Sequence, residues 1–455
     1  MSEDRNRLTI RASDTRLNPY LLRSSLVAAL GGLLFGFDTA VIAGTTRALV
    51  DTYALSPGAL GITVSSALWG TVLGSLCAAA PSDRYGRRGS LIGLGLIYVV
   101  SAIGCALTWN WTALLVFRFI GGLAIGASSV IGPMYIAEIS PARLRGRLVG
   151  LFQMNVVVGI LVAYFSNYLV SLIGLGPTEW RWKLGLVALP AAGFVLGLRG
   201  IPQSPRWLAS VGRAEEARTV LADIGESDPT RALEHITESV ASERRVQGEP
   251  LFQHRYRKPI FLAIAIGAFN QLSGINAILY YLNDIFGRAG FNAVSSDVQA
   301  VAIGATNLAF TLLAMSVIDR IGRRTLLLIG AVGTAIALAG VAAIFSTGLH
   351  QEWLIWLLVG FIASFAFSQG AVIWVYISEI FPTPVRAKGQ SLGSFTHWIM
   401  NALIAGVFPV IAATSNAGPF WLFASMMVVQ FFVVLVFFPE TKGVTLEAME
   451  RRVNE

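Results

Sequence analysis

Residues 31–44, GGLLFGFDTAVIAG, are apolar and glycine-rich and hold one acid, Asp38, with no Lys or Arg inside the stretch. A carboxylate kept in hydrocarbon is costly, and intramembrane ionisable groups usually pair and mark a pathway. Arg118 is the one arginine far inside another apolar run, which makes it the expected partner. Burial favours the protonated acid and a nearby guanidinium favours the ionised one. A changing Asp38–Arg118 distance would therefore switch the acid between holding and releasing a proton. The alternative is a static pair that only ties two helices together.

A second group of residues suits a polyhydroxyl ligand. Carboxamides donate and accept at once, and indole faces cover an apolar C–H surface. Gln153, Asn270, Gln271, Asn276, Asn307 and Asn401 fall within apolar segments, as do Trp374 and Trp398. Tyr280 and Tyr281 follow Asn276 by about one turn. Any single amide could equally make a helix–helix hydrogen bond, and His397 reads as either a pocket group or a structural partner. A third group is charged. Asp83, Arg84, Arg87 and Arg88 in DRYGRR return as Asp319, Arg320, Arg323 and Arg324 in DRIGRR. Glu138 with Arg145, and Glu379 with Arg386, stand seven residues apart further on. These groups could clamp neighbouring helix ends, pairing only while those ends are packed together. The simpler reading makes the arginines topology signals alone. No nucleophile–base set, phosphate loop or metal cluster occurs, so neither an enzyme nor a cofactor is expected.

The elements that carry these residues follow from composition. The chain of 455 residues is 55% hydrophobic and 13% charged, against about 25% charged in soluble domains. An all-α membrane protein in contact with a lipid bilayer is implied. A spanning helix needs about 20 mostly apolar residues, and twelve segments qualify, at 22–44, 57–80, 89–109, 112–137, 147–170, 183–201, 259–286, 297–318, 325–346, 353–378, 388–412 and 418–438. Of 34 Lys and Arg, 28 fall in the tails, the even-numbered loops and the central loop; Arg199, on that same side, Arg118, Arg47, Arg181, Lys183 and Arg288 complete the count. That bias places both termini in the cytoplasm and accounts for the net charge of +8 without nucleic acid. The polar start MSEDRNRLTI is no cleavable signal peptide. Cys77 and Cys105 sit in apolar runs and imply no disulfide framework.

The chain also repeats itself. YIAEISPARLRG at 135–146 returns as YISEIFPTPVRAKG at 376–389, in the same order as the Asp-Arg pair. Two six-helix bundles related by duplication follow, at 1–201 and 259–438, with a polar helical segment at 202–258 and a tail at 439–455. Homologous helical halves around a midplane cavity form many secondary transporters.

The set DRYGRR, RFIGGLAIG (118–126), PMYIAEISPARLRG (133–146), PQSPRWL (202–208), QLSGINAILYY (271–281), DRIGRR and PETKG (439–443) resembles the sugar porter family of the major facilitator superfamily, most nearly its bacterial sugar–proton symporters. The resemblance runs from about residue 24 to 443. It implies a twelve-helix carrier working by alternating access, with 202–258 as an intracellular helical domain that includes Arg206. By the same resemblance Gln153, Gln271, Asn276, Asn307 and Trp374 occupy sugar-contacting positions, and Tyr280 and Tyr281 an extracellular gate. Asn270 and His397 stand where related carriers have Gln. Asp38 matches an Asp of a proton-coupled member, where facilitative glucose carriers have Asn. Two departures are Gln203, where the family usually has Glu, and Ala79, where it has Gly.

The expected function is proton-coupled import of a hexose or pentose across a bacterial inner membrane by a monomer, with a facilitative sugar or polyol uniporter as the alternative. A transport-derived sensor would usually carry a long cytoplasmic extension.

Overall fold

The structure is a computed structural model and describes residues 18–141, 143–245, 250–382 and 385–443. Twelve helical segments are long and apolar enough to cross a membrane: Pro19–Gly44, Pro57–Cys77, Ala79–Leu107, Trp111–Ile139, Arg145–Ile173, Gly176–Arg199, His254–Tyr280, Ala293–Ile321, Arg323–Thr347, Gln351–Ile380, Arg386–Thr414 and Gly418–Phe437. They are called here the first to twelfth spans. The protein is an all-helical multi-pass membrane protein, as its composition implies. Between the sixth and seventh spans lie the polar helices Pro205–Ser210, Ala214–Asp223 and Pro229–Arg245. The tail beyond 443 lies outside the described residues.

Local chemistry explains the boundaries. The first span starts at Pro19, whose missing N–H is harmless in a first turn, and the Asn18 side chain accepts from the Tyr20 amide. The helix therefore begins three residues before the expected position 22. Asp38 lies three residues before the α-helix ends at Val41 and six before the span ends at Gly44. Arg118 lies seven residues into the fourth span, counted from Trp111 at the same end. The two groups thus share a depth nearer the end opposite the charge motifs.

Three spans expected to be continuous are broken, the sixth at Leu186 and Val187 between Glu179–Gly185 and Ala188–Arg199. The seventh comprises Arg257–Leu272 and Ile275–Tyr280, followed by Leu282–Arg288. Gly274 supplies the left-handed φ of +80° at the first break, a conformation that disfavours a Cβ. The tenth divides at Ser368 into Leu354–Phe367 and Gln369–Ile380. Broken spans at depth are tolerated where they face a cavity rather than lipid.

Close approach between helices is set by glycine. A Cβ at Gly36 would fall 1.8 Å from the Val156 carbonyl oxygen, which lets the first and fifth spans touch backbone to backbone. Gly61 of the second span meets Gly406 of the eleventh in the same way, a Cβ standing 1.9 Å from its oxygen. That second contact joins the first six spans to the last six, at the end away from the charge motifs.

Candidate functional site

Asp38 and Arg118 line two small cavities in common, each of about 10 Å³. One adjoins Phe35, Thr71, Ile125 and Tyr280. The other adjoins Tyr98, Ser101, Cys105 and Val187. The two groups are neighbours, as expected, yet they make no direct ion pair within 4.0 Å among the described residues. Arg118 is 4% exposed and donates from Nε to the Thr63 carbonyl at 3.2 Å. A backbone carbonyl thus holds the guanidinium beside the acid without locking onto it.

A separate cavity of about 120 Å³ lies between the two sets of six spans. Gln153, Asn270, Asn276, Asn307, Trp374, His397 and Trp398 all line it, together with Phe35 and Thr311. The His397 ring is centred 5.1 Å from Trp374 and 5.0 Å from Trp398, and Phe35 meets Trp398 edge-on at 5.3 Å. Gln271 and Asn401, expected to touch a ligand, do not line the cavity. Each is 1% exposed and spent on protein partners. Gln271 Oε1 accepts from Asn276 Nδ2 at 3.0 Å, while Nε2 donates to Asn270 at 3.1 Å and faces His397 at 3.2 Å. Asn401 Nδ2 donates to the Tyr280 hydroxyl at 3.0 Å. These two amides hold their neighbours in place.

The end away from the charge motifs is closed beneath a cavity of about 610 Å³ that both halves line, with Tyr281 and Phe408 among its walls. Tyr281 stacks on Phe408 with ring centres 5.0 Å apart and donates to the Ala405 carbonyl at 2.8 Å. Tyr164 of the fifth span donates to the Leu279 carbonyl of the seventh at 2.8 Å, joining the two halves. A buried charge network joins them again. Lys183 Nζ lies 2.7 Å from Glu179 and 3.5 Å from Asp297, and Ser171 donates to Asp297 at 2.6 Å. Sequence reading missed this network, because Lys183 and Asp297 are far apart in the chain and each read only as a residue near a span boundary.

The charge motifs form two matching knots. Arg87 pairs with Glu138 at 2.9 Å and with Asp83 at 3.3 Å. Arg323 pairs with Glu379 and with Asp319, both at 3.0 Å. Ser204 binds Glu138 as Thr441 binds Glu379. The Gln203 side chain accepts from the Arg88 amide at 3.0 Å, and Glu440 accepts from the Arg323 and Arg324 amides at 2.9 and 3.1 Å. The repeat therefore includes a third pair, PQS and PET, which sequence inspection had left unmatched, and Gln203 makes its contact without a charge. Arg145 and Arg386 donate from Nε to the Ala137 and Phe381 carbonyls at 3.1 and 3.2 Å. Arg84 lies over the Tyr85 ring, Lys442 reaches the Arg320 carbonyl, and Arg206 contacts Ser239.

The sequence sets Glu138 with Arg145 and Glu379 with Arg386, pairing only while the charged helix ends are packed together, whereas the acids meet Arg87 and Arg323. The Arg87–Glu138 and Arg323–Glu379 pairs each stay within one set of six spans, so neither needs the two halves to meet at the charged ends.

Twelve spans, a cavity at the seam and a buried acid beside an arginine define a membrane carrier. The sugar (and other) transporter family model matches residues 24–452, and the chain belongs to that family. It is a transporter and not an enzyme. It is 37% identical over 439 residues to the arabinose-proton symporter of Bacillus subtilis strain 168, covering 95% of each chain. It is 34% identical over 471 residues to the D-xylose-proton symporter of Escherichia coli strain K12, again covering 95% of each. The inward open conformation of the xylose transporter XylE from E. coli superposes with a TM-score of 0.85 at 32% identity, over 95% of this chain and 100% of that one.

Proposed function

We propose that this protein is a proton-coupled monosaccharide symporter that works by alternating access. The observation that carries this reading is the placement of Asp38 and Arg118, unpaired but sharing cavities, next to the gate tyrosine Tyr280. A uniporter needs no such acid. The amide- and tryptophan-lined cavity supplies the sugar site: Gln153, Asn270, Asn276, Asn307 and His397 offer hydrogen bonds, and Trp374 and Trp398 cover the apolar face. Gln271 and Asn401 fix the groups that make those contacts. The arabinose and xylose carriers among its relatives support a pentose as substrate, and the galactose-proton symporter of Escherichia coli a hexose.

The charge motifs mark the cytoplasmic side, since short cytoplasmic loops are rich in Lys and Arg. The closed end is then extracellular, with Tyr280 and Tyr281 as its gate, and the arrangement is an inward-facing one. The chain acts as a monomer in the bacterial inner membrane. One proton moved through 100 mV contributes about 2.3 kcal/mol, enough to concentrate a sugar about fifty-fold.

The direct test adds sugar to de-energised cells or proteoliposomes in weak buffer. Symport removes a proton from the medium with each sugar, so the medium turns alkaline. Sugar uptake with no pH change would favour the uniporter. A competition panel of unlabelled pentoses and hexoses names the substrate.

A further inference from the structure

We propose that Tyr280 is a coupling residue, whose hydroxyl reads the protonation state of Asp38 and transmits it through Asn401 and its own short helix to the gate and the sugar cavity. This rests on Asp38 being the proton site. Tyr280 ends the helix Ile275–Tyr280, which is six residues long and broken from its neighbours at Gly274 and Tyr281. Its ring lines the cavity of about 10 Å³ that Asp38 and Arg118 also line. Its oxygen accepts from Asn401 Nδ2 at 3.0 Å.

A phenol has one O–H to give. With its oxygen accepting from Asn401, Tyr280 can donate into the shared cavity. The charged acceptor there is the Asp38 carboxylate, reached through the one water molecule for which such a space has room. Ionised, Asp38 accepts only; protonated, it becomes a donor. Proton uptake at Asp38 adds an O–H donor there and leaves the Tyr280 O–H a neutral carbonyl in place of a charged acceptor. A hydrogen bond to a charged acceptor is roughly twice as strong as a neutral one, so the closed arrangement weakens as the charge is lost and the short helix is released at its two breaks. The same helix carries Asn276, which lines the sugar cavity. Proton and sugar thus act on one six-residue element.

The other titratable or charged groups around Asp38 are Arg118 from the fourth span, and Tyr98 and Cys105 from the third. The second and sixth spans face it with Val64, Ala67, Leu68, Thr71, Leu184 and Val187, none of them titratable.

The test uses the full-length protein in proteoliposomes and measures protons moved per sugar, with gradient-driven accumulation. Tyr280→Phe keeps the ring and removes only the hydroxyl. Its proton-to-sugar ratio is expected to fall toward zero and its accumulation toward simple equilibration, while sugar still crosses. A tyrosine that only packs in the gate would change the rate of sugar movement and leave the ratio alone. Asn401→Ala provides a second variant, expected to lower the ratio whatever it does to affinity, and it decides the matter if Tyr280→Phe does not fold. A wild-type ratio in whichever of these variants folds overturns the proposal. Asp38→Asn runs in parallel: if it still accumulates sugar, the proton site itself is misassigned, whereas its failure beside a fully coupled Tyr280→Phe overturns the coupling role alone.

Discussion

Gln271 and Gln153 illustrate how two similar side chains in one region can have different duties. Gln271 gives its whole carboxamide to Asn270, Asn276 and His397, while Gln153 faces the cavity. Replacing Gln153 with Ala is expected to weaken sugar binding about tenfold, the loss of one hydrogen bond worth about 1.4 kcal/mol. Gln271→Ala is expected to weaken binding too, by releasing His397 and Asn276, and also to lower thermal stability by about 1–3 kcal/mol, because it strands buried polar partners. Titration of ligand affinity and a melting curve for each variant separate the two roles. Unchanged affinity in both would contradict the site. The polar character of these residues was legible in the sequence, since amides in apolar helices need partners. Which of them faces the cavity was not, because that depends on a few tens of degrees of helix rotation.

At the scale of elements, the charge knots behave as joints inside each half. Arg87 and Glu138 tie the third span to the fourth, and Arg323 and Glu379 tie the ninth to the tenth. Glu138→Gln is therefore expected to lower the melting temperature, through a half-buried arginine that loses its charged partner, with little change in which end is open. A shift in conformational balance without loss of stability would restore the state-dependent clamp. The span count and the order of the repeats could be read from apolar run lengths and from the two matched motifs. The break at Gly274 was less visible: QLSGIN contains the signal, but a lone glycine in an apolar run is usually tolerated in a helix. The offset start of the first span likewise hung on Asn18 and Pro19, a capping signal outside the apolar stretch.

At the scale of the molecule, two contacts besides the Tyr164 hydrogen bond hold the halves together at the end away from the charge motifs. One is steric: Gly61 against Gly406. Gly61→Val is expected to hold the outer ends apart, so that spin labels at the exposed positions Ser56 and Ser415 report a longer distance. An unchanged distance would show that the seam closes elsewhere. The other is electrostatic. Lys183 is 3% and Asp297 1% exposed, and their contact crosses between the halves. If the halves separate, Lys183 keeps Glu179 and Asp297 keeps Asn283, so each charge retains a partner on its own side. Asp297→Asn is accordingly expected to favour outer opening in the same labelling experiment, and an unaltered distance would contradict a latch. No spacing rule links positions so distant in the chain, and only the folded bundle brings them together.

The central claim is that Asp38 makes this carrier a pump. The measurement that bears on it most directly compares wild type with Asp38→Asn in proteoliposomes carrying an inward proton gradient. Asn is close in shape to Asp and cannot carry the proton. Wild type is expected to concentrate sugar above the outside level, and Asp38→Asn to exchange sugar but settle at equal concentrations. Accumulation by Asp38→Asn equal to wild type would contradict it.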